Sequence, residues 1–412
     1  MQRLCLANWG EPMKTFVAPG RVNLLGEHTD YTGGLVLPMA IPFHTRATIT
    51  PLSGSEHVKY RFTSGNFDTV RELAPGDQSQ AVKNWSDYPV GVLRCLQALR
   101  VDLPPFHLHI DGDVPVGAGL SSSASVEVAS AMAILSLSHA SLSTRDLAKL
   151  CQRAENDYVN SPCGIMDQFA IIASKQGAAM LLDTGTLTME NIPLEVGDLA
   201  STVIIVCNSM VKHSVATGAY GDRRREVEAG QIALKRMFPS LRFLGDADLQ
   251  HLQAARAAMS AQSFLRCRHI VTENARVRLA VEALRLGNPD RFGELMLQGH
   301  ASERDDFACS CPEIDFLVET ARSIPGCFGA RLTGSGFDGC TVNLVQRDAA
   351  ENFITALRGS VAKFVYLPED GLEVERIWLC QSSSGVNLRV RSSFGPFVGT
   401  AATASAIGIW NR

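Results

Sequence analysis

The sequence predicts a protein of two domains built from both strands and helices, and three observations carry that expectation. The chain has 412 residues, more than a single hydrophobic core usually organises. Its first half sets strand-like runs such as Phe106-His-Leu-His-Ile110 between turn-rich stretches, whereas its second half is dominated by long amphipathic runs. Composition shifts across residues 184–199, ahead of a new strand-like run, Val203-Ile-Ile-Val-Cys207. The expected division is therefore an N-terminal domain over 1–190, a C-terminal domain over 191–373 and a tail over 374–412.

With 46% hydrophobic and 19% charged residues the chain is an ordinary globular one, and a net charge of −4 gives no general attraction to nucleic acid or to an anionic membrane. A small-molecule partner is the better expectation. The first ten residues lack the apolar run of a signal peptide and no 18-residue apolar stretch occurs, so a cytoplasmic location is expected. Eleven cysteines without a Cys-x-x-Cys pair read as reduced core residues rather than as a zinc site or a disulfide framework.

Taken in order, Pro19 to Gly34 crowds Arg21, Asn23, Glu27, His28, Thr29, Asp30 and Tyr31 between apolar runs, ahead of the strand-like Leu35-Val-Leu37. Such density is either a solvated loop or a pocket for sugar hydroxyls, which donate and accept at once and so want carboxylates, an imidazole and a guanidinium together. Next comes Pro115-Val-Gly-Ala-Gly-Leu-Ser-Ser-Ser-Ala-Ser125, between the strand at Phe106 and a helical run from Val126 to Leu137. Gly117 and Gly119 let the backbone approach a ligand, and Ser121, Ser122 and Ser123 bring hydroxyls to the free N–H groups of a helix start. This suits a phosphate, although a serine N-cap behind a tight turn is the plain alternative. A Walker loop is excluded because the chain has no Gly-Lys pair, and a dinucleotide fingerprint because Ser122 stands where the third glycine belongs.

A helix is expected over Ser143 to Tyr158, opened by a capping box at Ser143 to Asp146 and buried along Leu147, Leu150, Cys151, Ala154 and Tyr158, with Glu155 at the edge of that stripe. Asp167 follows Pro162 and Gly164, where it is either an N-cap or a carboxylate aimed from a helix start. Further on, Tyr220 to Met237 and Phe264 to Leu286 read as helices. Gly329 to Val345 reads as strand, glycine loop and strand, with Gly334, Gly336 and Gly339 in the loop.

Three of these stretches closely resemble the galactokinases of the GHMP small-molecule kinase superfamily. They are Gly20-Arg-Val-Asn-Leu-Leu-Gly-Glu-His-Thr-Asp-Tyr-Thr-Gly-Gly34, the loop Gly117 to Ser125, and Leu332-Thr-Gly-Ser-Gly-Phe-Asp-Gly-Cys340. Weaker matches extend the resemblance from about Phe16 to about Gly371. It implies the α+β, two-domain GHMP kinase-like fold with the active site in the cleft between the halves. It also implies transfer of a phosphoryl group from ATP to the C1 hydroxyl of galactose, by a monomer. In that reading Glu27, His28, Asp30, Gly164, Asp167 and Tyr220 hold the sugar. Asp167 is the base, and Arg21 stabilises charge at the reacting oxygens. The loop Gly117, Ala118, Gly119, Leu120, Ser121, Ser122 and Ser123 wraps the ATP phosphates, and Trp85 lies near the adenine. Ser123 and Glu155 bind Mg²⁺.

Two features depart from the family pattern. Ser335 and Asp338 stand in the third motif where Ala and Gly are usual, so an extra carboxylate is expected near a phosphate-facing loop, where like charge weakens ATP or product binding unless Asp338 points to solvent. The tail has no counterpart and is either disordered or an added strand pair, such as Val386 to Val390, on a sheet edge. Rival readings are a kinase for N-acetylgalactosamine or arabinose, and a sugar and ATP sensor without chemistry. Such sensors lack the Ser-Ala pair that this chain carries at Ser123-Ala124.

Overall fold

The computed structural model describes residues 13–52, 58–211, 216–361, 377–380 and 387–390. The N-terminal half runs β1 (Lys14–Asn23), β2 (Leu35–Val36), β3 (Pro38–Pro51), β4 (Tyr60–Ser64), β5 (Arg71–Leu73), α1 (Asp87–Ala98), β6 (Phe106–Gly112), α2 (Ser122–Leu135), α3 (Thr144–Arg153), α4 (Met166–Ala173), β7 (Ala178–Asp183) and β8 (Thr188–Pro193). The C-terminal half continues with β9 (Thr202–Asn208), α5 (Ala216–Met237), α6 (Leu249–Ala254), α7 (Ala261–Arg285), α8 (Pro289–Ser302), α9 (Pro312–Ser323), β10 (Cys327–Thr333), β11 (Cys340–Gln346), α10 (Ala350–Val361), β12 (Ile377–Cys380) and β13 (Asn387–Val390).

The largest sheet has the order β13-β1-β3-β6-β4-β5 and is antiparallel except where β4 meets β6. Alternation along β6 buries Phe106, Leu108 and Ile110 on one face, as a half-covered strand should. That face packs on α1 and α2 through Leu93, Leu96 and Val128, and the small residues Ala124, Ala129, Ala131 and Ala133 let α2 lie close to it. A second sheet, β10-β11-β9-β12, forms in the C-terminal half, and a third joins β2, β7 and β8. The two halves share a core in which Val22, Leu37 and Met39 meet Val206, Leu295 and Val342. No helix among the described residues is long and apolar enough to cross a membrane.

Three local features differ from the expected elements. Helix α3 ends at Arg153 rather than at Tyr158, and the chain continues as a π-turn, Ala154–Val159, that buries Glu155. A π-turn adds one residue to a helical turn and re-aims the side chains on it, often at functional sites. Asp167 is not an N-cap: α4 begins at Met166, whose N–H goes to Asp30 Oδ2 at 3.2 Å, leaving Asp167 free to face another element. In the tail, the strand expected near Val386 is present as β13, which among the described residues pairs with β1 rather than with a second tail strand. It adds to the edge of the first sheet beside β1, while β12 adds to the second sheet beside β9. The rest of the tail lies outside the described residues.

Candidate active site

The site grows from the point where β1 runs into the phosphate loop. The Arg21 N–H donates to the Leu120 carbonyl at 3.2 Å, and a Cβ on Gly20 would lie 2.9 Å from that same oxygen, so only a glycine lets strand and loop come this close. From there Arg21, 4% exposed, reaches across the site. Its Nε and Nη2 donate to Asp167 Oδ1 and Oδ2, both at 2.8 Å, and its Nη1 donates to the Gly119 carbonyl at 2.6 Å. A bidentate guanidinium–carboxylate pair fixes direction as well as charge. Asp167 is thus held against the loop that the sequence assigned to phosphate.

Ser121 takes a third part in this arrangement. It sits at φ 60°, a left-handed conformation costly for serine, and its side chain makes no cap bond to the helix. Its Oγ donates instead to Asp167 Oδ2 at 2.5 Å. The N-cap alternative is therefore not realised at Ser121, and its hydroxyl serves the carboxylate. Ser121→Ala keeps the Cβ and the backbone strain but removes this donor. We expect kcat to fall about tenfold with ATP affinity little changed, the scale of a hydrogen bond to a charged group; steady-state kinetics with both substrates varied checks this.

Beside Asp167 lies Asp30. Burial, and then the Asp167 charge, push its carboxyl up to about 6. A Cβ on Gly164 would lie 1.8 Å from Asp30 Oδ2, so the bare glycine is what gives this carboxylate room. Gly164→Ala should displace Asp30 and lower kcat/KM for the sugar by about 10²-fold, the cost of misplacing a substrate contact by about 1 Å. An unchanged sugar KM in this variant would contradict the placement of Asp30 in the pocket.

The sequence grouped Glu27 and His28 with Asp30, and the structure separates them. Asp30 and Asp167 are part-exposed, but Glu27 is 1% and His28 5% exposed. The His28 imidazole donates from Nε2 to the Ser335 carbonyl at 3.1 Å and accepts at Nδ1 from the Tyr31 hydroxyl at 3.3 Å. Burial pulls its pKa down to about 3, so the ring is neutral, as that hydrogen-bond pattern requires. It stacks on Phe307, with ring centroids 4.1 Å apart, and packs near Tyr31 and Tyr220 at 6.1 and 5.8 Å. Glu27 accepts from Arg331 Nη2 at 2.8 Å and from the Gly334 N–H at 3.3 Å. Both residues are consequently engaged by the protein itself: they pin the signature loop to the β10–β11 loop.

Arg331, fully buried, was not singled out from sequence, although an arginine flanked by the apolar Ala330 and Leu332 in a strand was the available signal. It contacts Glu27, Glu273 and Glu303 at 2.7–2.8 Å. Arg276 adds a second cation, 2.7 Å from Glu273. Burial opposes ionisation of Glu273, but Arg331 and Arg276 outweigh it and hold this carboxyl well below the usual range. In Glu27 burial dominates over Arg331, and with Glu303 and Glu273 nearby it drives the carboxyl up to about 8. Arg224 was missed as well; one helical turn after Tyr220, its guanidinium lies over the Tyr31 ring at 4.7 Å.

The third motif forms the opposite wall. Its loop has Gly334, Gly336, Phe337 and Gly339 at positive φ. A Cβ on Gly334 would lie 2.9 Å from the Gly119 carbonyl and one on Gly339 3.3 Å from that of Ala118, so this hairpin packs directly on the phosphate loop. Asp338 is half-buried in it. Trp85 donates from Nε1 to Thr69 Oγ1 at 3.1 Å and lies parallel to Phe67, with ring centroids 6.4 Å apart.

Ser123 stands on the first turn of α2, and its hydroxyl, with the Cys163 thiol, favours the charged form of Glu155. Burial and then the Asp167 charge raise the Glu155 carboxyl to about 7. The buried Glu155 carboxyl and the part-exposed Asp167 carboxylate, beside a hydroxyl, are hard oxygen donors, a set that fits a divalent cation such as Mg²⁺. Among the described residues no three His, Cys, Asp or Glu side chains converge as a complete metal cage.

Comparison with known proteins identifies the family of the chain. The chain matches the sequence profiles of the GHMP kinases N terminal domain over residues 87–175, the galactokinase galactose-binding signature over 7–51 and the GHMP kinases C terminal domain over 280–363. It is 40% identical to the galactokinase of Homo sapiens over 88% of this chain and 93% of that protein. To the galactokinase of Halalkalibacterium halodurans it is 38% identical, over 86% and 89%. The structure of Lactococcus lactis galactokinase complexed with galactose superposes with a TM-score of 0.83 at 33% identity, covering 92% of this chain and 95% of that one. Methanococcus jannaschii mevalonate kinase, at 19% identity and a TM-score of 0.62, shares the fold over 91% and 99% of the two chains. With its α+β fold of N- and C-terminal GHMP domains, the chain belongs to the galactokinase family of GHMP kinases.

Proposed function

We propose that this chain is an ATP-dependent kinase for the anomeric C1 hydroxyl of galactose, giving galactose 1-phosphate and ADP. The observation that carries the reading is Asp167, held by Arg21 and Ser121 against the phosphate loop and beside Asp30. A sugar hydroxyl placed between Asp167 and the loop gives up its proton to the carboxylate, its oxygen bonds the γ-phosphorus, and the bond from that phosphorus to the bridging oxygen breaks so that ADP leaves. Arg21, which already spans Asp167 and Gly119, stabilises the charge on the reacting oxygens. The Gly117, Ala118, Gly119, Leu120, Ser121, Ser122 and Ser123 loop surrounds the phosphates, and the flat face of Trp85 takes the adenine. Asp30, Gly164, Asp167 and Tyr220 contact the sugar, while Glu27 and His28 hold the loop that presents them. Mg²⁺ on Ser123 and Glu155 supplies charge neutralisation for the nucleotide phosphates when bound. The same reading takes 1–190 and 191–373 as the two domains and the chain as a cytoplasmic monomer.

ADP release with Mg-ATP across a panel of sugars tests it. Turnover on galactose and close analogues alone supports the galactose reading. Preference for N-acetylgalactosamine or arabinose replaces it with a related sugar kinase, and binding of galactose and ATP without ADP release makes the chain a sensor.

The state of Glu155 adds a pH dependence. Its carboxyl rises from an ordinary value of 4.5 to about 7, so between those values the folded chain keeps a proton that the unfolded chain has lost. Its contribution to fold stability is therefore present below about pH 4.5 and lost as pH rises to about 7. Cation binding runs the other way, because the proton must leave first. Mg²⁺ affinity in the presence of ADP, followed by calorimetry, should be about tenfold higher at pH 8 than at pH 6; a flat profile would exclude Glu155 as a ligand.

A further inference from the structure

Behind Glu155 lies a buried amide that the proposed reaction has not used. Gln168, with no exposure, follows Asp167 on α4. Its Nε2 donates to Glu155 Oε2 at 3.0 Å and to Glu127 Oε2 at 3.1 Å, with Cys163 Sγ at 3.8 Å. Glu127, also without exposure, stands on α2 four residues after Ser123, on the same helix face. A single amide therefore ties together the helix that carries Ser123, the helix that carries Asp167 and the π-turn that carries Glu155. Its orientation is not arbitrary. Turning the amide over would set its oxygen against the Glu127 and Glu155 carboxyl oxygens and withdraw the shared Nε2 donor from both, so these two side chains favour the orientation in which Nε2 faces them.

We propose that Gln168 and Glu127 are positioning residues for phosphoryl transfer: Glu127 fixes the Gln168 amide, and the amide holds Glu155 where it meets the divalent cation carried with the nucleotide. This rests on the reading of Glu155 as a cation ligand. Outer partners of metal-binding side chains typically alter metal affinity or activity by about 10–100-fold when removed, because they set ligand direction rather than supply ligands. The helix start at Ser123 and the base Asp167 stand at the two ends of the same link, so loss of the amide loosens Glu155 relative to both.

The experiment measures binding of Mn²⁺, by the electron paramagnetic resonance signal of the free ion, to the full chain with saturating ADP. Galactose affinity is measured on the same samples by calorimetry. Gln168→Leu and Glu127→Leu are each expected to weaken Mn²⁺ binding about tenfold or more while galactose affinity holds. Glu127→Gln, whose amide oxygen can still accept from Gln168 Nε2, should retain most of the affinity. If Gln168→Leu does not fold, Gln168→Asn serves in its place, since its shorter amide falls out of reach of Glu155. Wild-type Mn²⁺ affinity in the leucine variants, alongside a loss in Glu155→Gln, overturns the positioning role and leaves the ligand reading standing. Wild-type affinity in Glu155→Gln removes the ligand reading, and the inference with it. A parallel fall of Mn²⁺ affinity, galactose affinity and Tm also overturns it, by showing a role in folding alone.

Discussion

Asp167→Asn is expected to lower kcat by about 10²–10⁴-fold, the usual contribution of a positioned general base. The amide keeps one oxygen for an Arg21 donor and occupies nearly the same volume, so the frame made by Arg21, Gly119 and Ser121 should survive. Proton acceptance, however, is lost, because an amide oxygen is a far weaker base than a carboxylate. Galactose and ATP affinities, measured by calorimetry, should therefore change much less than kcat, placing the loss in the transition state rather than in binding. A variant that kept a tenth or more of the wild-type kcat would sink the assignment of Asp167 as the base.

The largest effect on stability is expected at Arg331. Its guanidinium is fully buried and lies 2.7–2.8 Å from Glu27, Glu273 and Glu303, each no more than 1% exposed. Arg331→Met leaves these carboxyls together without their shared cation, a change that costs about 3–5 kcal/mol when one partner of a buried pair is removed. Glu27→Gln makes the internal comparison. Both Glu27 oxygens accept, from Arg331 Nη2 and from the Gly334 N–H, so the Gln amide must turn its NH2 against one of these donors. Burial lifts the Glu27 carboxyl to about 8, so this variant removes less charge than Arg331→Met and should cost less. Urea unfolding of the two variants checks both. Equal losses would mean that the Glu27 hydrogen bonds matter as much as the Arg331 cation. The Arg331 variant should also bind galactose more weakly, because the Gly334 N–H and Arg331 are what anchor Glu27, and Glu27 lies three residues before Asp30 in the signature loop.

Strands and helices at Phe106, Tyr220 and Phe264 were legible in the sequence because each is patterned by a regular repeat, and the strand at Val203, buried on both faces, because it reads as a continuous apolar run. The phosphate loop was legible for a different reason: closely spaced glycines before serines at a helix start are a local device, complete within eleven residues. The π-turn at Ala154 was not, since it replaces part of an otherwise unbroken helical pattern. The link from Ser121 to Asp167 was hidden too. By spacing, Ser121 looks like a cap, and only the approach of α4 gives its hydroxyl a better acceptor.

The sequence by itself determined the family, the two-part plan and the identity of the groups that can do chemistry, because these depend on short motifs and on local periodicity. Tertiary structure alone decided which of those groups are buried and what holds them. Glu27, His28 and Asp30 are neighbours in the chain, yet burial and partners more than 300 residues away hold the first two inside the protein and leave Asp30 beside Asp167. Charge at such a site depends on desolvation and on cations brought from other elements, and no spacing along the chain encodes either.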